Sequence, residues 1–352
     1  MDMKMGFFRN NIENMAGYVP GFQPKELDII KLNTNENPYP PSPHVLNVLR
    51  NLDLERLRRY PDPAGTEFRQ AAGRVNDIPA EYIMCCNGGD ELLSIAVRSF
   101  CDKNRPLAYP TPTYSLYPVL AQLDEVPVME IPFGQGYSLP KELFNTPAAL
   151  TIVCNPNAPN GSLISAGDLA ALAASLKSVL LIDEAYVDFS PCTCIDLVRQ
   201  FDNVIILRSM SKGYSLAGLR FGYAIANPSL IEGMWKVKDS YNADAIAIAA
   251  ATAAISDQDY VKANVKKVID QRNVLTEALI ALGFKVPQSH ANFVLAQFNG
   301  PTAQHIYDQL VARHIYVRYF KLPGLENKLR ISVGTPDQNA RLLSALKEIL
   351  AR

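Results

Sequence analysis

The chain has 352 residues, 48% of them hydrophobic and 20% charged, with a formal net charge of -1. That length exceeds what a single hydrophobic core ordinarily holds, so two lobes are expected, and the composition is that of a soluble globular protein. The near-neutral balance excludes the strongly basic surface that nucleic acid or an anionic membrane would select, and six cysteines without a C-x-x-C pair beside only four histidines argue against any metal site.

Residues 1–11 lack an apolar stretch long enough for a signal peptide. Residues 1–30 are irregular, broken by Pro20, Gly21 and Pro24, and read as an arm that packs on something else. Residues 31–38 form a short extended piece entering a proline-rich turn. Val45, Leu46, Leu49 and Leu52 recur at helical spacing, so a helix is expected over 45–57. Residues 59–63 are a loop, and Thr66 opens a helix capped by its own hydroxyl. From 83 to 226 short apolar runs alternate with helical stretches. Strands are expected at 83–86, 107–109, 126–131, 150–154, 179–182, 204–207 and 221–226, with helices at 91–100, 114–123 and 166–176. That alternation predicts βα units and a mostly parallel sheet. Residues 228–282 are helical by period, with breaks near Asn242 and Ser256. The apolar segment 243–255 is too short to span a bilayer and reads as a buried helix. The last 70 residues or so alternate strand and helix (292–297, 302–314, 315–320, 328–333, 337–350), which suits a small α+β lobe. Cysteines lying in apolar runs are core residues of a protein kept in a reducing cytoplasm.

Lys212 is the residue around which the chemistry gathers. It follows the apolar run Val204-Ile205-Ile206-Leu207, the mark of a strand buried on both faces. Ligands of open α/β sheets bind beyond the strand C-termini. A lysine desolvated there has a lowered pKa and can form a Schiff base. Ser209, Ser211 and Arg220 can donate to a phosphate. An amine beside a phosphate cradle describes a pyridoxal phosphate (PLP) site; a surface lysine after a strand is the alternative. Gly88-Gly89-Asp90 opens the helix after the first strand of this region, where free N–H groups either hold a phosphate or merely start the helix. Tyr114, at another strand end, can stack on a flat ring or fill the core. Asp183 ends the run Val179-Leu180-Leu181-Ile182; buried there it needs a cation, and a pyridinium nitrogen is one, unless it caps the next element. Tyr186 lies three residues on, within reach of a ring oxygen, while Glu184 reads as structural. The loop Asn155-Pro156-Asn157-Ala158-Pro159-Asn160-Gly161 either turns the chain or holds an amide against that oxygen. Arg318 and Arg330 sit in alternating apolar runs, facing a substrate anion or a structural carboxylate.

The order of these motifs carries more than any one of them. Asn-Glu-Asn-Pro, Arg-Tyr-Pro, Gly-Gly-Asp-Glu, Pro-Thr-Tyr, Asn-Pro-Asn-x-Pro-x-Gly, Asp-Glu-Ala-Tyr, Ser-Lys with Ala-Gly-Leu-Arg, Ala-Asn-Phe and Leu-Arg-Ile-Ser-Val-Gly follow in succession. The chain thereby resembles the fold-type I PLP enzymes of the aspartate aminotransferase superfamily. With Ile12-Glu13-Asn14-Met15-Ala16-Gly17-Tyr18-Val19-Pro20-Gly21 it is most similar to the histidinol-phosphate aminotransferases, from about residue 12 to 350. The resemblance implies an α/β fold: a large PLP-binding domain (56–256) whose mostly parallel seven-stranded sheet is sandwiched by helices, a small α+β domain (31–55 and 257–352) and an arm (1–30). It implies PLP on Lys212, Asp183 at the pyridinium nitrogen, Tyr186 at the ring oxygen and Tyr114 on the ring. The phosphate would be held by Gly89, Asp90, Ser209, Ser211 and Arg220, and Tyr60 would reach the neighbouring subunit's phosphate site in a homodimer with shared active sites. Tyr18, Asn37, Arg318 and Arg330 would contact substrate. One departure stands out: relatives carry Asn-Pro-Thr-Gly where this chain has Ala158-Pro159-Asn160-Gly161, so the usual amide is missing and Asn157 is the candidate replacement. The activity implied is transamination between L-histidinol phosphate and 2-oxoglutarate. The competing readings are an aromatic aminotransferase or an O-phosphothreonine decarboxylase on the same scaffold, a non-enzymatic regulator, for which the first 30 residues are too few to hold a DNA-binding module, and a dehydrogenase, for which no G-x-G-x-x-G follows the first strand.

Overall fold

The computed structural model describes residues 7–24 and 28–351; the expected arm and the segment read for a signal peptide therefore lie partly outside the described residues. Among the described residues thirteen strands follow in chain order. They are β1 (Ile30–Lys31), β2 (Ile83–Cys86), β3 (Leu107–Thr111), β4 (Val128–Pro132), β5 (Leu150–Cys154), β6 (Val179–Asp183) and β7 (Val204–Ser209). Then come β8 (Gly222–Ala226), β9 (Phe284–Lys285), β10 (Phe293–Phe298), β11 (Ile315–Tyr316), β12 (Arg318–Tyr319) and β13 (Lys328–Ser332).

Seven of them form one sheet in the order β2-β8-β7-β6-β5-β3-β4. Only β8 runs against its neighbours, pairing antiparallel with β2 and β7; the other pairs are parallel. Burial follows from strand alternation. Leu180, Ile182, Val204 and Ile206 point into one core with Phe68, Phe221 and Tyr223. Leu181, Ile205 and Leu207 point the other way, to Leu92, Val97, Tyr109 and Ile152. Covered by helices on both faces, these strands are apolar at nearly every position, as parallel strands require. The alanine-rich helix Ala245–Ser256 is buried along Ala247, Ala250, Ala251 and Ala254, its small side chains permitting close approach of the helices Pro43–Arg50 and Thr66–Asn76.

A third core lies beneath the antiparallel sheet β12-β13-β10-β9, built from Leu275, Phe284, Val294, Ile306, Leu329 and Leu342 together with Ile30 and Leu32. The helix Gln258–Ala281 belongs to both regions: Val261, Val265 and Val268 face the first core, whereas Leu275 and Leu279 face the third. Val45 packs in the first core, so the helix Pro43–Arg50 lies with the large sheet rather than with the smaller one to which its sequence position grouped it.

Three local expectations are corrected. The helix expected over 45–57 stops at Arg50 because the Asn51 amide turns back to the Asn47 carbonyl, and the Asp53 carboxylate starts a separate 3-10 turn by accepting the Glu55 N–H. Thr66 does not cap its helix. It is the first helical residue, behind Gly65, and the Asp62 carboxylate takes the Thr66 N–H at 2.7 Å. The strand expected from 126 begins at Val128, since the Val126 N–H is spent on Ala121 O at the preceding helix end.

Candidate active site

Because β2 and β7 both run antiparallel to β8, the C-terminal ends of β2, β3, β5, β6 and β7 share one edge of the sheet with the start of β8. This edge floors a cavity of about 470 Å³ that reaches across to the small sheet. Lys212, Asp183, Tyr186 and Tyr114 all line it, as do Gly89, Asp90, Ser209, Ser211 and Arg220. Tyr18, Arg318 and Arg330 close it from the arm and the small sheet.

Two ionisable groups in this cleft are held unfavourably in their charged forms. Asp183, at the end of β6, is 3% exposed. Its Oδ2 accepts the Tyr117 hydroxyl at 2.8 Å and its Oδ1 the Ala185 N–H at 3.1 Å, but no cation pairs with it among the described residues. Burial pushes its carboxyl up to about 6, the negative charges of Asp90 and Glu184 adding to this and the two hydrogen bonds opposing it. Lys212 donates to the Thr34 carbonyl at 3.2 Å and lies 5.8 Å from the centre of the Tyr186 ring. Burial and the Arg330 guanidinium bring its amine down to about 8, against the pull of Glu36. Glu184, adjacent to Asp183, is structural as expected: its buried carboxylate accepts from Arg208 Nε at 2.8 Å.

A donor cluster forms one end of the cleft. The helix Gly88–Phe100 starts there. Arg220 donates to Asp90 Oδ2 at 3.2 Å and to Ser211 Oγ at 3.4 Å, and Ser209 Oγ accepts the Ser211 N–H at 3.2 Å. Glycine is required at two points of this cluster. Gly88 has φ +80°, and a Cβ on it would stand 2.7 Å from Arg220 Nη2. A Cβ on Gly222 would stand 2.9 Å from the Arg208 carbonyl and 3.0 Å from Gly89 N. Tyr114 donates to Asp90 Oδ1 at 3.2 Å and meets the Tyr18 ring edge-on at 6.0 Å.

From the small sheet Arg330 donates to the Asn33 carbonyl at 3.1 Å, while its buried Nε has no partner among the described residues. Its guanidinium lies over Phe293 and Phe320. Arg318 donates to the Val19 and Pro20 carbonyls at 3.4 Å. Neither arginine pairs with a carboxylate among the described residues; their acceptors are backbone carbonyls.

Three expected site residues stand elsewhere. Asn157 is fully buried and its amide is spent: Nδ2 donates to the Pro112 carbonyl and to Asn160 Oδ1, and Oδ1 accepts from Thr113. The loop is a turn held by its asparagines, and it presents only Ala158 and Pro159 to the cleft. Asn37 lies beneath the Lys212 turn, where Nδ2 donates to the Lys212 and Gly213 carbonyls at 3.1 and 3.2 Å and Oδ1 accepts the Tyr39 N–H. Tyr60 does not line the cleft; it is 80% exposed and stacks on Tyr241 at 4.3 Å. Sequence reasoning missed Tyr117, Thr34 and Asn35. Asn35 lines the cleft and donates to the Tyr186 hydroxyl at 3.0 Å; the Asn-Glu-Asn-Pro motif marked this segment without showing which amide faces inward.

An amine with a lowered pKa in one cleft with a buried acid that has no cationic partner among the described residues, and with a phosphate-type donor cluster, describes a PLP-dependent enzyme. Residues 27–346 match the model of the aminotransferase class I and II family. The histidinol-phosphate aminotransferase 1 of Trichormus variabilis is 49% identical over 98% of this chain and 99% of its own length; that of Microcystis aeruginosa is 42% identical over 97% and 98%. The crystal structure of the Sinorhizobium meliloti histidinol-phosphate aminotransferase in complex with pyridoxal-5'-phosphate superposes with a TM-score of 0.89 at 26% identity, covering 98% of each chain. The chain belongs to the class I and II aminotransferases, within the histidinol-phosphate aminotransferase family.

The residues present suit the cofactor: donors for its phosphate, a flat aromatic, an amine, and an acid with no cation of its own. Two consequences can be measured on cofactor-stripped protein. The folded pKa of Asp183 lies above its unfolded value, so its charge opposes folding above about pH 6 and has no effect below about pH 4, by about 2–3 kcal/mol. Asp183→Asn is therefore expected to melt later than the wild type at pH 7.5, with the difference gone at pH 4. The rate of PLP uptake is expected to rise with pH and level off above about 8, as the Lys212 amine becomes neutral; a rise continuing past pH 10 would mean an ordinary lysine.

Proposed function

We propose that the enzyme moves an amino group between L-histidinol phosphate and 2-oxoglutarate, giving imidazole acetol phosphate and glutamate in histidine biosynthesis. The observation that carries the reading is the pair of cleft arginines without carboxylate partners among the described residues. One half-reaction brings a phosphate monoester and the other a dicarboxylate, and guanidinium groups accept both. The names of the near-full-length relatives support the same substrate.

In this reading Gly89, Asp90, Ser209, Ser211 and Arg220 hold the cofactor phosphate, Tyr114 lies on the ring, and Tyr186 donates to the ring oxygen. Asp183 faces the ring nitrogen and keeps it protonated. When bound, the cofactor supplies an electron sink for bond breaking at the substrate Cα. Lys212 Nζ would take up and give back the proton at the substrate carbon as general base and acid, an effect worth about 10²–10⁴-fold. Arg318, Arg330 and Tyr18 orient the substrate anion.

The same reading divides the chain into a large PLP-binding unit, a smaller α+β unit and an arm. It also makes the active unit a homodimer, in which the exposed Tyr60 reaches the cleft of a second copy. Six unpaired cysteines support a cytoplasmic setting.

Purified enzyme with glutamate as donor is expected to turn over imidazole acetol phosphate much faster than phenylpyruvate and to release no carbon dioxide from O-phosphothreonine. Arg330→Ala is expected to lower kcat/KM for the phosphate substrate about 10- to 100-fold. Equal rates on both keto substrates would overturn the substrate assignment. For the shared site, mixing inactive Lys212→Ala with a Tyr60→Ala variant is expected to regain activity, since one hybrid cleft is intact; no regain means that each chain works alone.

A further inference from the structure

The loop after β5 lacks the amide that relatives aim at the ring oxygen, and Asn157 is locked away from the cleft. We propose that Asn35 supplies this function from the other side of the cleft as a positioning residue: its side-chain amide holds the Tyr186 hydroxyl so that the phenolic proton points at the ring oxygen of PLP. The proposal rests on the PLP reading above and extends it to a residue outside the usual set.

The hydrogen-bond inventory of Asn35 determines which way its amide faces. The Ser332 hydroxyl accepts the Asn35 backbone N–H at 2.9 Å and gives its single proton to Asn35 Oδ1 at 2.9 Å. The amide oxygen is therefore committed to Ser332, and Nδ2 must face Tyr186, to which it donates at 3.0 Å. A phenol that accepts this hydrogen has its own proton left to give, and no acceptor for it exists among the described residues. Tyr186 is held edge-on against Phe293 at 5.1 Å, so the ring cannot swing away.

Asn35 itself is fixed. It is 1% exposed, and its carbonyl accepts Asn292 Nδ2 at 2.9 Å. Its φ is +58°, a region in which asparagine is favoured over most residues. The carbonyl of the preceding residue, Thr34, receives Lys212 Nζ. One short segment thus holds both the amine and the phenol.

The test follows the visible absorbance of the loaded enzyme against pH. A donor chain ending on the ring oxygen draws charge from it; without the chain the oxygen retains the proton of the adjacent nitrogen longer, and the midpoint rises. Asn35→Asp keeps the acceptor for Ser332 and tolerates the backbone, but its carboxylate takes the Tyr186 proton. Asn35→Gly relaxes the backbone and removes the amide. Both are expected to raise the midpoint by about one pH unit, the size of a single hydrogen bond. In a Tyr186→Phe background Asn35→Gly is expected to add nothing, because it acts through the phenol. Unchanged midpoints in both single variants, or the same shift in the Tyr186→Phe background, overturn the proposal. So does loss of the band in both variants while Tyr186→Phe keeps it, since a residue acting through the phenol cannot cost more than the phenol. No visible band in the wild type would instead overturn the PLP reading itself.

Discussion

The site depends on a carboxylic acid buried at a strand end with no cationic partner among the described residues. Asp183 sits at the end of a central strand, between β5 and β7, where the ladder leaves it no freedom to reach water. Tyr117 and one backbone N–H satisfy its oxygens but not its charge. In the same cleft the Lys212 amine is held to a carbonyl, near Arg330, and gives up its proton more readily than an ordinary lysine. Each group is out of place in its ionised form, and a ligand with a protonatable ring nitrogen and an aldehyde relieves both. The electrostatics of the cleft thus suit this class of cofactor.

The small sheet is bound to this machinery by backbone carbonyls rather than by charge pairs. Asn33 O receives Arg330, Thr34 O receives Lys212, and Asn35 O receives Asn292. The segment also pairs with the small sheet region through β1 and β11 and supports the Lys212 turn through Asn37. A stretch of five residues therefore connects the amine, the phenol and Arg330.

Much of this was legible in the chain. The inner strands of the large sheet were visible as apolar runs because a doubly covered strand is apolar at nearly every position, whereas the edge strand β4 is half-exposed and carries Glu130; the mostly parallel arrangement followed from the helices between them. Lys212, Asp183 and Tyr114 drew notice because each stands past such a run, and Arg220 because it stands just before one; all four line the cleft. The asparagines were not legible. Asn35, Asn37 and Asn157 are equivalent as residue types, and only their hydrogen-bond partners decide which amide faces the cleft. Asn157 is consumed by Pro112, Thr113 and Asn160, Asn37 by the Lys212 turn, and Asn35 alone has its Nδ2 toward the phenol. Helix ends misread for a similar reason: whether Thr66 or Asp62 caps depends on a turn that brings a residue four positions away onto the N–H.

By itself the sequence determined the layer architecture and the positions where strands end, since burial on two faces is a local property of composition. It also determined the chemistry on offer, because an amine, an acid, a phenol and a phosphate cradle in fixed order leave few alternatives. Only the tertiary structure decided that strands distant in the chain present these groups at one edge, that Arg318 and Arg330 line the cleft with no carboxylate partner among the described residues, and which amide faces the cleft. Those are matters of partner choice, and a polar side chain's partner is set by what the whole fold brings within about 3 Å of it.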